Sequence, residues 1–227
     1  MFEDALRYPY SDGEGIKTLL AGTLLSLLGV LLLPAVFVAG YTMRVLRAVA
    51  ADEEALPGWD DWTDLFVDGL RATVVSVAYL LVPMLLVVGA IVAFLVPFPG
   101  EPTRLVTLLA WAVALLSLPL LFAATYVLPA ALVNTAVTRR IGAGFAFRRL
   151  WPVLTSGSYA TAWLLALLVS LLSGVVGGLV VLVPLAGFVV AVAVGFYATL
   201  ATAYLYGRGF AGSRPIDTTD PESSVPA

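Results

Sequence analysis

The chain has no cysteine and no histidine among its 227 residues. That removes disulfides, thiolate chemistry, haem or zinc held in the usual way, and any Ser-His or Cys-His nucleophile. Lysine is nearly absent as well, with Lys17 standing alone beside eleven arginines. Charged residues make up only 12% of the chain, against about 25% in an ordinary soluble domain. No P-loop, no GxSxG and no metal-ligand pair occurs. These gaps argue against an enzyme, and lead us to expect no catalytic residue, no cofactor and no bound metal. Acids outnumber bases by 15 to 12. That balance fits a salt-adapted protein, and a short acidic tail produces it equally well.

What fills the space is apolar. Hydrophobic residues make up 61% of the chain, in runs longer than a globular core needs. A secretory leader is a poor reading of the start, because residues 1–15 carry acids and no apolar core. The pattern predicts an all-α, polytopic integral membrane bundle: six transmembrane helices in three hairpins, joined by interfacial amphipathic segments. The helices are expected at about 16–33, 35–51, 70–96, 103–138, 160–183 and 185–206. Residues 1–210 form one membrane domain, and 211–227 a disordered acidic tail. Asp12-Gly13-Glu14 reads as a helix start, and Pro34 as the end of the first helix. The second helix is the shortest span, with about ten apolar residues before Arg44 against the ~17–25 a crossing needs. The first pair therefore either crosses with a tilt or is re-entrant. Turns are expected over 97–102 and near Pro184.

Charge sets an orientation. With six spans, Arg7, Lys17, Arg44, Arg47, Arg71, Arg139, Arg140, Arg148, Arg149, Arg208 and Arg214 fall on one side and Arg104 alone on the other. The positive-inside rule puts the first group, and both termini, in the cytoplasm of a plasma-membrane protein.

The most unusual stretch is LPGWDDWTDLFVDG, residues 56–69. At helical spacing Asp61, Asp64 and Asp68 share one face, with Arg71 one turn on, and Trp59, Trp62 and Phe66 share another. Asp61 is placed to cap the helix. Three readings follow. The segment is an interfacial helix with its tryptophans at headgroup level and its carboxylates in water. Alternatively the acids dock the arginines of the 139–149 connector, or a partner. The third reading is a hard-cation site, for which the segment lacks a ligating loop. Arg139, Arg140, Arg148 and Arg149 fix topology and contact anionic lipid, or recognise a phosphate or headgroup. They are too few and too close to the membrane to suggest nucleic acid.

No Asp, Glu, Arg or Lys stands near the middle of an expected span, so an ion-coupled mechanism lacks its usual hardware. The polar candidates left to line a cavity are Tyr79, Thr125, Tyr126 and Asn134. Pro83 and Pro119 sit at similar depth in neighbouring helices and free the carbonyls of Tyr79 and Leu115. Paired kinks either open a small cavity or let long helices pack. Ser170, Gly174 and Gly178 recur every four residues, as do Gly22 with Ser26 and Ala191 with Gly195. Such faces let helices approach within the chain, or in a homodimer. Three aromatic, charged segments, FEDALRYPY, WDDWTDLFVDG and FAFRRLWPVLTSGSY, each precede a hairpin, which suggests a weak internal repeat or plain architecture.

LRYPYSDGEG, GYTMRVLRAVA, LPGWDDWTDLFVDGL, FRRLWPVLTSGSYATAWLLALLVSLLSG and YLYGRGF together resemble the membrane family known as domain of unknown function 4013. The likeness covers roughly residues 3–210, and WDDWTDLFVDG is its most specific part. The family is common in archaea, salt-loving ones included. More distantly the chain resembles the non-catalytic membrane domain attached to some glycerophosphodiester phosphodiesterases. The resemblance implies fold and location and carries no activity or functional residue with it. The expectation is a non-enzymatic module that meets membrane lipid or a partner protein through its cytoplasmic amphipathic segments. The alternative is a permease or channel-like component for a neutral or amphiphilic solute, using the kinked third and fourth helices.

Overall fold

A computed structural model describes residues 1–10, 15–28, 32–53, 55–95, 104–183 and 186–213. The expected helix start at 12–14, the turns at 97–102 and Pro184, and the 214–227 part of the tail with Arg214 lie outside those residues. Among the described residues the regular structure is entirely helical. Eight α-helices follow in order: α1 Phe2–Arg7, α2 Gly15–Leu27, α3 Leu32–Ala50, α4 Trp62–Leu95, α5 Arg104–Thr138, α6 Phe147–Leu154, α7 Gly157–Val180 and α8 Ala186–Ala211. Short 3-10 turns, Tyr8–Tyr10 and Ile141–Phe145, lead into α2 and α6.

The architecture is that of a multi-pass helical membrane protein; among the described residues five helices, α3, α4, α5, α7 and α8, are long and apolar enough to cross a bilayer, where six were expected. The shortfall is α2. Its 13 residues reach about 20 Å at 1.5 Å per residue, short of a ~30 Å hydrocarbon core. Pro34 does not end a helix. It stands in the first turn of α3, where a proline's missing N–H removes no helical bond. The aspartate-tryptophan block is not a separate interfacial helix either. From Trp62 it is the opening of α4, which runs 34 residues without a break. Likewise α7 starts at Gly157 and α8 continues to Ala211, beyond the expected bounds of 160 and 206.

Packing is concentrated at one end of the bundle. The main core joins Tyr41, Val45 and Val49 of α3, Leu65 and Val75 of α4, Ala131 and Val133 of α5, Leu150 of α6, and Leu200 and Phe210 of α8. Beyond Val77, by contrast, Pro83 and Ala90 are the buried residues of α4 among those described. α1 folds back onto this packed end. Ala5 is buried with Ala201 and Leu205 of α8, and the Tyr8 and Tyr204 rings meet at 4.9 Å. Met1 and Asp4 border the same hollow as Asp52, Arg208 and Gly212, so the N-terminal helix and the end of α8 share one end of the molecule. The arginines of α3, the start of α4 and the end of α5 lie there too. We call it the charged end.

Candidate functional site

The charged end is built around the start of α4. The Asp61 carboxylate accepts from the Asp64 N–H (3.1 Å) and its carbonyl from the Leu65 N–H (3.1 Å), so Asp61 caps α4 as its position suggests. Asp61 does so with φ 54°, in the left-handed region. Arg44 of α3 reaches across and donates to the carbonyls of Gly58 and Asp60, both at 2.8 Å. Those carbonyls belong to the loop before the helix, so one arginine fixes the entry to α4.

The other two aspartates are consumed inside the protein. Asp68 is 1% exposed and bonds two guanidinium groups, Arg47 of α3 and Arg71 one turn further along α4 (2.5 Å). Arg47 also donates to the carbonyl of Ala136 (2.8 Å), one of the last carbonyls of α5, which lack helical partners. Asp64 takes Arg139, the residue just past α5, at 2.6 Å, with Arg44 at 4.0 Å. Three helix ends are thus tied by alternating charges, and the aspartates do not form an open face in water. Arg47 and Arg44 were read from the sequence as topology markers only. Their role was hidden because their partners lie outside α3, in the loop before α4, in α4 itself and at the end of α5.

The two tryptophan rings meet at 6.3 Å but differ in setting. Trp59 precedes α4, so it shares no helix face with Trp62 and Phe66. It stacks on Tyr41 at 4.0 Å and 2°, within the core. Trp62 is 52% exposed and suits the headgroup level. Among the described residues no group of three or more acids could hold a metal ion.

The expected cavity residues are mostly occupied elsewhere. Asn134 donates to the Ala143 carbonyl (2.8 Å), Tyr126 to that of Leu154 (2.7 Å), and the Thr125 hydroxyl to that of Phe122 (2.8 Å). Tyr126 and Asn134 thereby seat the connector between α5 and α7. The Thr125 carbonyl has a separate task. Pro129 has no N–H to offer it, and the indole N–H of Trp163 takes that place at 3.1 Å. One turn back on α7, the Tyr159 hydroxyl donates to the Tyr126 carbonyl (2.7 Å) and accepts from the Ala130 N–H (3.1 Å). An unbroken helix would join those two groups to each other. Two α7 side chains therefore repair α5 at its proline, a role that the sequence reading missed for both.

Tyr79 does line a hollow. A groove of about 370 Å³ runs between α4 and α5, bordered by Tyr79, Val82, Pro83, Leu120, Val127 and Phe147. It is almost wholly apolar and opens on the outside of the helix pair. Tyr79 donates to the Gly144 carbonyl (2.8 Å), and its ring stacks on Phe145 at 5.4 Å with Phe147 edge-on at 6.4 Å.

Those two phenylalanines lead into α6. Leu150 and Val153 are buried, while Phe147 (60%), Arg148, Arg149 and Trp151 (68%) are exposed. Among the described residues Arg140, Arg148 and Arg149 have no carboxylate partner, whereas Arg7, Arg44, Arg47, Arg71, Arg139 and Arg208 each have one. The sequence shows this cluster, but only the pairing pattern separates Arg139 from the other three.

The small-residue face over Ser170, Gly174 and Gly178 borders a shallow open groove of about 380 Å³ with Ala191, Gly195 and Thr199 of α8. Nothing stands within 4 Å of where a Cβ of Gly174 or Gly178 would lie. Gly22, by contrast, receives the ring of Phe196, which docks α2 on α8.

No curated protein and no solved structure matches the chain. A family model does, over residues 24–183, from within α2 through α7 and including the whole charged interlock. The chain belongs to that family, described as protein of unknown function (DUF4013).

Proposed function

We propose that the protein is a non-enzymatic, multi-pass membrane module whose exposed basic-aromatic helix α6 engages anionic lipid headgroups. One observation carries this reading. Arg140, Arg148 and Arg149 are left without carboxylates in a region where the other described arginines are paired, and they flank the exposed rings of Phe147 and Trp151. Exposed aromatics set the depth of such a segment at the headgroups. Each cation near an anionic leaflet contributes about 1 kcal/mol. The positive-inside rule then puts the charged end, with Met1 and the close of α8, in the cytoplasm, which fits residence in a plasma membrane. The resemblance to a family common in archaea suggests an archaeal membrane.

The aspartates support a different role from the arginines of α6. Asp64 and Asp68 hold the helix ends together, so a partner would have to displace arginines to reach them. For the permease alternative, Tyr126 and Asn134 seat a connector, and the groove beside Pro83 offers hydrocarbon where a solute path needs polar groups. The lipid reading therefore draws on more of the molecule.

The test is native mass spectrometry of the purified protein in mild detergent with added phosphatidylglycerol or phosphatidylcholine of matched chains. Preferential retention of the anionic lipid, lost in Arg148→Gln/Arg149→Gln, is the expected result. Equal retention of the two lipids by the unaltered protein would remove the proposal.

A further inference from the structure

Resting on the headgroup reading above, we infer that the groove between α4 and α5 holds an acyl chain of the same anionic phospholipid whose phosphate meets Arg148 and Arg149. The ligand is thus one lipid in a built site rather than a diffuse annulus.

Three observations converge. The groove is hollow because Ala78, Ala123 and Ala124 present only methyl groups where Val82, Leu120 and Val127 stand at its rim. Its volume of about 370 Å³ is in the range of roughly 300–1,000 Å³ found for small-ligand pockets. Its lining is hydrocarbon apart from Tyr79, whose hydroxyl is spent on the Gly144 carbonyl. A polar solute would find no partner here, while a chain buries apolar surface.

The groove also has a defined mouth. Phe145 and Phe147 border it on the side of α6 and pack against the Tyr79 ring. Phe147 both borders the groove and opens α6, and the next two residues are Arg148 and Arg149. Hydrocarbon and cationic recognition therefore meet at one residue. Charge complementarity selects an anionic lipid, because no described acid pairs with either guanidinium. A chain entering from Phe147 runs along the α4–α5 seam toward Pro83 and Leu120, where the proline lies buried at the groove wall.

The experiment uses the full-length protein and the same two lipids, with glycerol 3-phosphate as a headgroup that carries no chain. Ala78→Phe/Ala123→Phe fills the groove from two exposed positions, and Val88→Phe is the control on another lipid-facing site. Val82→Phe serves as a second filling variant should the double variant fail to fold. Filling the groove is expected to lower phosphatidylglycerol retention about tenfold, a change of ~1.4 kcal/mol, while Val88→Phe leaves it unchanged. Glycerol 3-phosphate is expected not to displace the lipid at equal concentration. If the filled variants keep their lipid while Arg148→Gln/Arg149→Gln loses it, the headgroup reading stands and the chain site falls. If the arginine variant keeps its preference for the anionic lipid, the headgroup reading falls first. Displacement by glycerol 3-phosphate would also overturn the chain site.

Discussion

Gly40 and Gly69 sit against one another at the α3–α4 crossing, each facing the carbonyl four residues before the other. A Cβ on Gly40 would lie 1.9 Å from the Leu65 oxygen, and one on Gly69 would lie 1.9 Å from the Val36 oxygen. Two backbones thus meet with no side chain between them, the approach that small residues allow in membrane helices. Both obstacles are backbone atoms, which cannot swing aside.

Gly40→Ala and Gly69→Ala should therefore each destabilise the protein by about 1–3 kcal/mol or more, as overpacking does. Gly174→Ala, which meets open space, should be close to neutral. Thermal unfolding in detergent compares the three. Equal midpoints would show that the crossing is looser than described.

Asp68 makes a second, sharper case. Its carboxylate is 1% exposed between Arg47 and Arg71. Asp68→Asn leaves two guanidinium groups without their charge partner and should cost about 3–5 kcal/mol. Asp52 pairs with Arg208 but is 80% exposed, so Asp52→Asn should cost no more than ~1 kcal/mol. The two substitutions remove the same charge, so the difference in unfolding midpoint reports what burial between two arginines adds.

Arg139 combines a charge pair with a left-handed backbone, φ 54°. Alanine there would lose the Asp64 bond and keep the strain. Glycine loses the same bond but adopts positive φ freely, where an L-residue pays about 1 kcal/mol or more. Arg139→Gly should thus be the more stable of the two variants. The reverse order in chemical denaturation would show that the left-handed backbone at 139 does not set the cost.

Tyr159 tests the repair of α5. Tyr159→Phe keeps the ring and strips the hydroxyl from the Tyr126 carbonyl and the buried Ala130 N–H. Unpaired buried groups cost about 1–3 kcal/mol. Amide exchange near Ala130 should speed up by the corresponding factor, while exchange in α8 beyond Leu200 should not change.

Much of the helical plan was legible in the sequence, because apolar runs and prolines are local signals. The Asp61 cap was legible for the same reason, since its acceptor and donor are three residues apart. Asp68 was not. On the sequence it is one of three acids on a helix face, and only the arrival of Arg47 from α3 turns it inward. The indole and phenol that satisfy the groups freed by Pro129 come from α7, so no signal local to α5 announces them. The shortness of α2 gave no local signal, because hydropathy counts apolar residues and not the length of an unbroken helix. The hollow beside Pro83 has no such local signal: the alanines that leave it empty stand on two helices and are ordinary residues in the sequence.

The concentration of packing at one end makes the molecule a lever. Gly69 is held at the α3 crossing, while Leu95 lies 26 residues further along α4, about 39 Å at 1.5 Å per residue. A change of about 10° in the crossing angle would sweep that far tip through roughly 7 Å at this helical rise. The α5 helix would travel with it, since the two are packed together along the groove. A bilayer that compresses the long pair acts at the far arm, with the Arg47–Asp68–Arg71 knot near the fulcrum. Small displacements at the charged end and large ones at the opposite end are then one and the same motion.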